Sequence, residues 1–280
     1  MSNHVAGLAQ RGLFALASLF AAMPGFAADA IATPAPVAPL EQAYRTLHSH
    51  RWVDLTHEFA AGIPHWKGFS DESVKPVYTY DKGGFFAEQF THVGQWGTHV
   101  DPPAHFIRGG RTMDQIRPDE MLLPLVVIDV HAKVAANPDY VVTLDDVRQW
   151  EARHGEIPAG AFVALRTDWG KRWPDDKAMQ NVDAKGVAHY PGWSLPVLKF
   201  LYETRRIGAS GHETTDTDPG SATTRDDYSL ETYVLGTDHY QIELLANLDQ
   251  VPEAGALVFV SFPKPQHGSG FPARVLAVLP

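Results

Sequence analysis

The sequence predicts an α/β or α+β domain built on a mixed sheet or barrel, and three observations carry that prediction. Residues 125–130 (LVVIDV), 161–166 (AFVALR) and 257–262 (LVFVSF) are short apolar, β-branched runs bounded by proline or glycine. Runs of this kind, without polar alternation, read as strands buried on both faces. Helix signals are fewer and lie between the strand signals, which favours a sheet with packed helices.

The first helix begins at Thr143, an N-cap with Asp146 at the capping-box distance, and runs to the region of Gly155. The second covers about 195–205, where Leu198, Leu201, Tyr202 and Arg205 share one face. No internal repeat is present, and the only low-complexity stretch is residues 28–40 (ADAIATPAPVAPL), an Ala/Pro-rich linker. One domain over 41–280 is therefore expected.

Residues 1–27 read as a secretory signal. Arg11 precedes the apolar run 13–23 (LFALASLFAAM), and Gly25 and Ala27 suit a cut after Ala27. The run is short for a membrane span, so a periplasmic or secreted protein with no span after signal removal is expected. The net charge of -10 argues against nucleic acid or anionic lipid as the main partner. With no cysteine, disulfides and thiolate metal sites are excluded. There is no G-x-S-x-G elbow and no phosphate-binding Gly-Lys-Ser/Thr loop, so serine-hydrolase and nucleotide chemistry lose their usual support.

The segment 95–105 (QWGTHVDPPAH) is the richest in chemistry. His99 and Asp101 are two apart, so on an extended chain both side chains point the same way. An imidazole and a carboxylate on one side suit a divalent metal; a surface ion pair is the alternative. Gln95 adds a carboxamide oxygen. His105, after Pro102 and Pro103, is a further ligand or a general acid/base.

These residues resemble the H-x-G-T-H-x-D-x-P-x-H motif of the cyclase family, which includes kynurenine formamidase and isatin hydrolase. The likeness continues, in order, through Asp54-Leu55-Thr56-His57 with Gly62, Pro64 and Trp66, then Arg166-Thr167-Asp168-Trp169, residues 208–218, 243–252 and 272–277. It implies a swivelling β/β/α-type domain with a barrel-like mixed sheet, forming a homodimer or higher homo-oligomer. It also implies a Zn or Mn ion held by His99, Asp101 and Glu243, with Gln95 at the place of a further ligand and His105 as the proton donor and acceptor. Two positions depart from the family pattern. Gln95 replaces the motif's first His, which shifts preference toward a harder ion such as Mn. Glu231 stands where two-metal formamidases carry a second-site His, so one ion per chain, or a changed pair that includes Glu231, is expected in place of a two-zinc site.

Other residues carry two readings each. His212 and Glu213 belong to an active-site loop or to a surface turn rich in Asp and Thr. His57 reads as a side chain supporting the ligands, and His239 is a weaker candidate. Trp66 and Trp96 are expected to contact substrate, and Trp169 and Trp193 are pocket or core. The stretch 216–227 reads as a solvated loop.

The expected activity is metal-dependent hydrolysis of a C–N bond in a formamide or cyclic amide of a small, aromatic substrate. Lactone or ester hydrolysis and metal-assisted dehydration are the alternatives on the same scaffold. A non-catalytic periplasmic metal- or ligand-binding protein is the alternative of another class.

Overall fold

The computed structural model describes residues 38–280. The expected signal over 1–27 and all but the end of the linker lie outside the described residues. Ala43–Pro280 form one compact unit. The described end of the preceding unit opens an exposed helix, Pro39–Ser49.

Among the described residues, nine strands form one mixed sheet, curled into a half-barrel. In chain order the strands are β1 (Trp52–Asp54), the hairpin β2 (Ser73–Tyr78) and β3 (Ala87–Thr91), β4 (His99–Asp101), β5 (Leu122–Asp129), β6 (Phe162–Arg166), β7 (Ala209–His212), β8 (Gln241–Glu243), β9 (Ala256–Ser261), β10 (Phe271–Pro272) and β11 (Arg274–Val278). The sheet order is β1-β11-β9-β5-β6-β7-β8-β4-β10, and β2 and β3 pair separately. The centre, β5-β6-β7-β8, is parallel, and both flanks are antiparallel.

The parallel centre explains the unbroken apolar runs. Val126, Ile128, Val163 and Leu165 pack into one core with helix residues Trp150, Leu198 and Leu201. The alternate residues Leu125, Val127, Phe162 and Ala164 pack into a second core with Val258, Val260 and Val275. Both faces of β5 and β6 are thus covered. The run 257–262 departs from expectation. Its strand, β9, is buried only on alternate residues, with Phe259 exposed. β9 lies in the antiparallel flank, and the helix-side core contains none of its residues.

The first predicted helix spans Leu144–His154. Thr143 and Asp146 exchange the reciprocal capping-box hydrogen bonds, and Gly155 ends the helix at φ 88°. The second is helical over Leu195–Lys199 and continues as a π-helical turn over Phe200–Arg205. None of the described helices is long and apolar enough to cross a membrane.

Candidate metal centre

Strand pairing builds the site. β4 and β8 run antiparallel with His99 opposite Glu243 and Asp101 opposite Gln241. The two-residue period puts His99 and Asp101 on one face, and cross-strand pairing brings Glu243 and Gln241 to the same face. His99 Nε2 lies 3.4 Å from Asp101 Oδ2 and 3.5 Å from Glu243 Oε2.

His99 Nδ1 is 2.7 Å from the Gly97 carbonyl oxygen. A carbonyl only accepts, so Nδ1 carries the proton and Nε2 turns its lone pair toward two carboxylates. Asp101 Oδ2 is buried without a hydrogen-bond partner. Three electron-rich atoms converge, and only a cation or an extra proton stabilises that arrangement. Burial alone would depress the His99 imidazole, but Asp101 outweighs it and holds it above the usual value. The donor set, one imidazole and two carboxylates, fits a divalent metal.

A second triplet shares Asp101. His105 Nε2 is 3.9 Å from Asp101 Oδ1 and 3.9 Å from Glu231 Oε1. His105 ends a short turn, Pro103–His105. Burial depresses its imidazole, with Asp101 opposing, so it favours the neutral form. Glu231 lies in the first turn of the helix Ser229–Gly236. Asp218 accepts the backbone N–H groups of Leu230 and Glu231 at 2.9 and 3.0 Å and anchors that turn. Burial, then Asp101 and Asp216, push the Glu231 carboxyl far above its usual range; burial, then Glu231, do the same to Glu243.

The surrounding hydrogen bonds orient these groups. Gln95, expected to offer its carboxamide oxygen, instead turns its nitrogen to Asp101 Oδ1 at 3.2 Å and to the Ser269 carbonyl at 2.8 Å. Gly270 makes room for it, since a Cβ there would stand 1.9 Å from the Gln95 nitrogen. Gln241 donates to Glu243 Oε1 at 3.1 Å and accepts from Thr217 at 2.7 Å. Trp193 donates its indole N–H to His212 Nδ1 at 3.3 Å, so Nε2 carries the His212 proton. That nitrogen faces Glu243 Oε1 at 3.3 Å. Burial drives the His212 imidazole down to about 3. Glu213 faces away, and its Oε2 accepts from the Thr167 N–H at 2.6 Å and hydroxyl at 2.7 Å.

A cavity of about 220 Å³ opens onto His99, His105, Glu231 and Glu243. His65, Trp66, Phe69, Phe106 and Tyr228 form its aromatic wall. The Trp66 indole donates to the Tyr228 hydroxyl at 2.9 Å across the mouth. Gly68 admits the Trp66 ring, which lies where a Cβ would be. Trp96 does not line the cavity; it is fully buried behind His65, at 4.7 Å between ring centroids. Trp169 and Trp193 are core residues. His57 supports the motif through its backbone N–H, which donates to Thr98 Oγ1 at 2.9 Å. His239 packs on Tyr202, outside the cavity. In the stretch 216–227, Asp218 is buried at the helix start and Asp216 lines the cavity, in place of the solvated loop expected.

Sequence reasoning missed Gln241, Asp216 and most of the aromatic wall. Only Gln241 left a local signal, the Gln-Ile-Glu spacing that mirrors His-Val-Asp.

Comparison with known proteins identifies relatives of this chain. The profile of the Cyclase family matches residues 53–219. An isatin hydrolase from Roseibium aggregatum is 36% identical over 236 residues, covering 81% of this chain and 86% of that protein. The structure of isatin hydrolase A from Ralstonia solanacearum superposes with a TM-score of 0.80 at 34% identity, covering 89% of this chain and 100% of that one. An isatin hydrolase bound to the product analogue thioisatinate superposes with a TM-score of 0.80 at 29% identity, covering 86% and 97%. The chain belongs to the cyclase family.

Proposed function

We propose that this protein hydrolyses the amide bond of a cyclic amide fused to an aromatic ring, an isatin-type lactam. The observation that carries this reading is the two-sided cavity: a His99–Asp101–Glu243 cluster facing an aromatic wall of Trp66, Phe69, Phe106 and Tyr228. The similarity to isatin hydrolases supports the same substrate class.

His99, Asp101 and Glu243 would hold one divalent ion per chain, and their two carboxylates would suit Mn better than a softer donor set does. Such an ion supplies Lewis acidity at the carbonyl oxygen and lowers the pKa of water. Gln95, its nitrogen committed to Asp101 and Ser269, orients Asp101. Gln241 does the same for Glu243. His105, kept neutral by burial, takes the proton of the attacking water and returns it to the leaving nitrogen. Glu231 Oε1 stands 3.9 Å from His105 Nε2 and lines the same cavity. Trp66 and Tyr228 stack against the planar substrate and exclude water.

Two further readings complete the proposal. Val74, Val77, Tyr78, Phe85, Phe86 and Phe90 on and beside the β2–β3 hairpin are exposed, which supports a homodimer or higher homo-oligomer. The N-terminal signal pattern supports export to the periplasm or beyond.

Elemental analysis of the parent and of His99→Ala tests the centre. About one Mn or Zn per chain, lost in the variant, is expected. Isatin-like lactams, formamides, lactones and esters are then assayed together. Turnover of formamides or lactones in place of lactams overturns the substrate class. Tight metal binding with no turnover of any of them points to a binding protein.

A further inference from the structure

Asp216 sits where the metal cavity meets a smaller one of about 160 Å³, and it lines both. Its Oδ2 accepts from the Tyr190 hydroxyl at 2.6 Å and the Thr215 hydroxyl at 2.9 Å. Tyr190 is itself held by Thr223 Oγ1 at 2.5 Å, and the Asp216 carbonyl accepts from Thr214 at 2.9 Å. The carboxyl is therefore fixed in orientation at both its backbone and one oxygen. Oδ1 receives no hydrogen bond from the described residues. Asp216 belongs to neither cluster able to hold a metal ion. Burial raises its carboxyl above the usual range, which makes it a stronger acceptor.

We propose that Asp216 is a specificity-determining residue: Oδ1 accepts the N–H of a secondary cyclic amide whose carbonyl faces the metal centre. The inference rests on the lactam reading above and adds the group that recognises the nitrogen. A lactone would turn a ring-oxygen lone pair toward Oδ1, and an N-methyl amide would bring a methyl group. Both leave a fixed, half-buried acceptor at the cavity wall without a donor, which costs binding. The site is thereby selective for N–H substrates by repulsion as well as by attraction.

Asp216→Asn is the direct test. Tyr190 and Thr215 donate to the position of Oδ2, so the Asn oxygen takes that place and its NH₂ faces the substrate N–H. Donor then meets donor. The measurement is kcat/KM of metal-loaded parent and variant for isatin and N-methylisatin, with metal content determined for both. The parent is expected to prefer isatin by about 10- to 100-fold, and the variant to lose that preference at unchanged metal content. Tyr190→Phe, which frees the carboxyl to rotate, is expected to lower the same ratio in part. A preference retained in Asp216→Asn, or absent from the parent, overturns the inference while leaving lactam hydrolysis standing. A metal-loaded parent that turns over neither compound overturns the functional reading, and the inference with it.

Discussion

Glu213→Gln should raise stability above neutral pH and have little effect in acid. Glu213 is fully enclosed, and its main supports are the Thr167 N–H and hydroxyl on Oε2. Burial pushes its carboxyl up to about 7, with the Thr167 donors opposing. The folded pKa lies above the unfolded value, so the folded state binds more protons between pH 4.5 and 7. Stability from this group is present below the unfolded pKa and is lost as pH rises through about 7. Most of that loss falls above pH 5, an upper bound of about 2–3 kcal/mol by pH 8. Gln is isosteric, accepts both Thr167 donors and does not ionise. The gain at pH 8 over pH 5 is therefore about 2–3 kcal/mol, or roughly 4–12 °C in Tm for a chain of this size. The weaker hydrogen bonds of a neutral acceptor subtract about 1 kcal/mol at pH 8. The assay is thermal unfolding of parent and variant at both pH values, in excess chelator so that metal binding does not contribute. A Tm difference independent of pH, or a variant less stable than the parent at pH 8, would refute the reasoning.

Four other outcomes are expected. His105→Asn should keep its metal but lose kcat by about 10²- to 10⁴-fold; an unchanged kcat refutes its role. Metal at about 100 times its Kd should stabilise the protein by about 2.7 kcal/mol over the chelated form, and a thermal shift series with Asp101→Ala should show no such gain. Gly270→Ala should displace the Gln95 amide and weaken metal affinity by about 10- to 100-fold, read by competition with a chelator. Tyr228→Phe, which keeps the ring but removes the oxygen that accepts the Trp66 indole N–H, should raise KM several-fold with little change in kcat; a loss confined to kcat would place Tyr228 in the chemistry.

Much of this molecule is readable without coordinates. Short apolar runs marked β5 and β6 because a strand buried on both faces has no room for polar alternation. The Thr143–Asp146 box marked a helix start because capping is a contact between residues three apart. His99 and Asp101 were legible as a pair because strand geometry puts residues two apart on one side.

Tertiary structure alone decided the rest. Glu243 joins His99 by cross-strand register, a relation between residues far apart in the chain; family resemblance indicated it, but no local spacing does. Trp66 and Trp96 are the same residue type, both expected to contact substrate, yet Trp66 is on the cavity wall and Trp96 is buried. The half-barrel's curl decides which face of each segment closes on the core. Asp216 and Asp218 look alike in an acidic stretch, but one lines the cavity and the other holds a helix end. The sequence by itself determined which residue types stand at local periods, since those follow from backbone geometry. Which distant groups share a cavity, and so what charge they must balance, was decided only when the sheet closed and brought them together out of water.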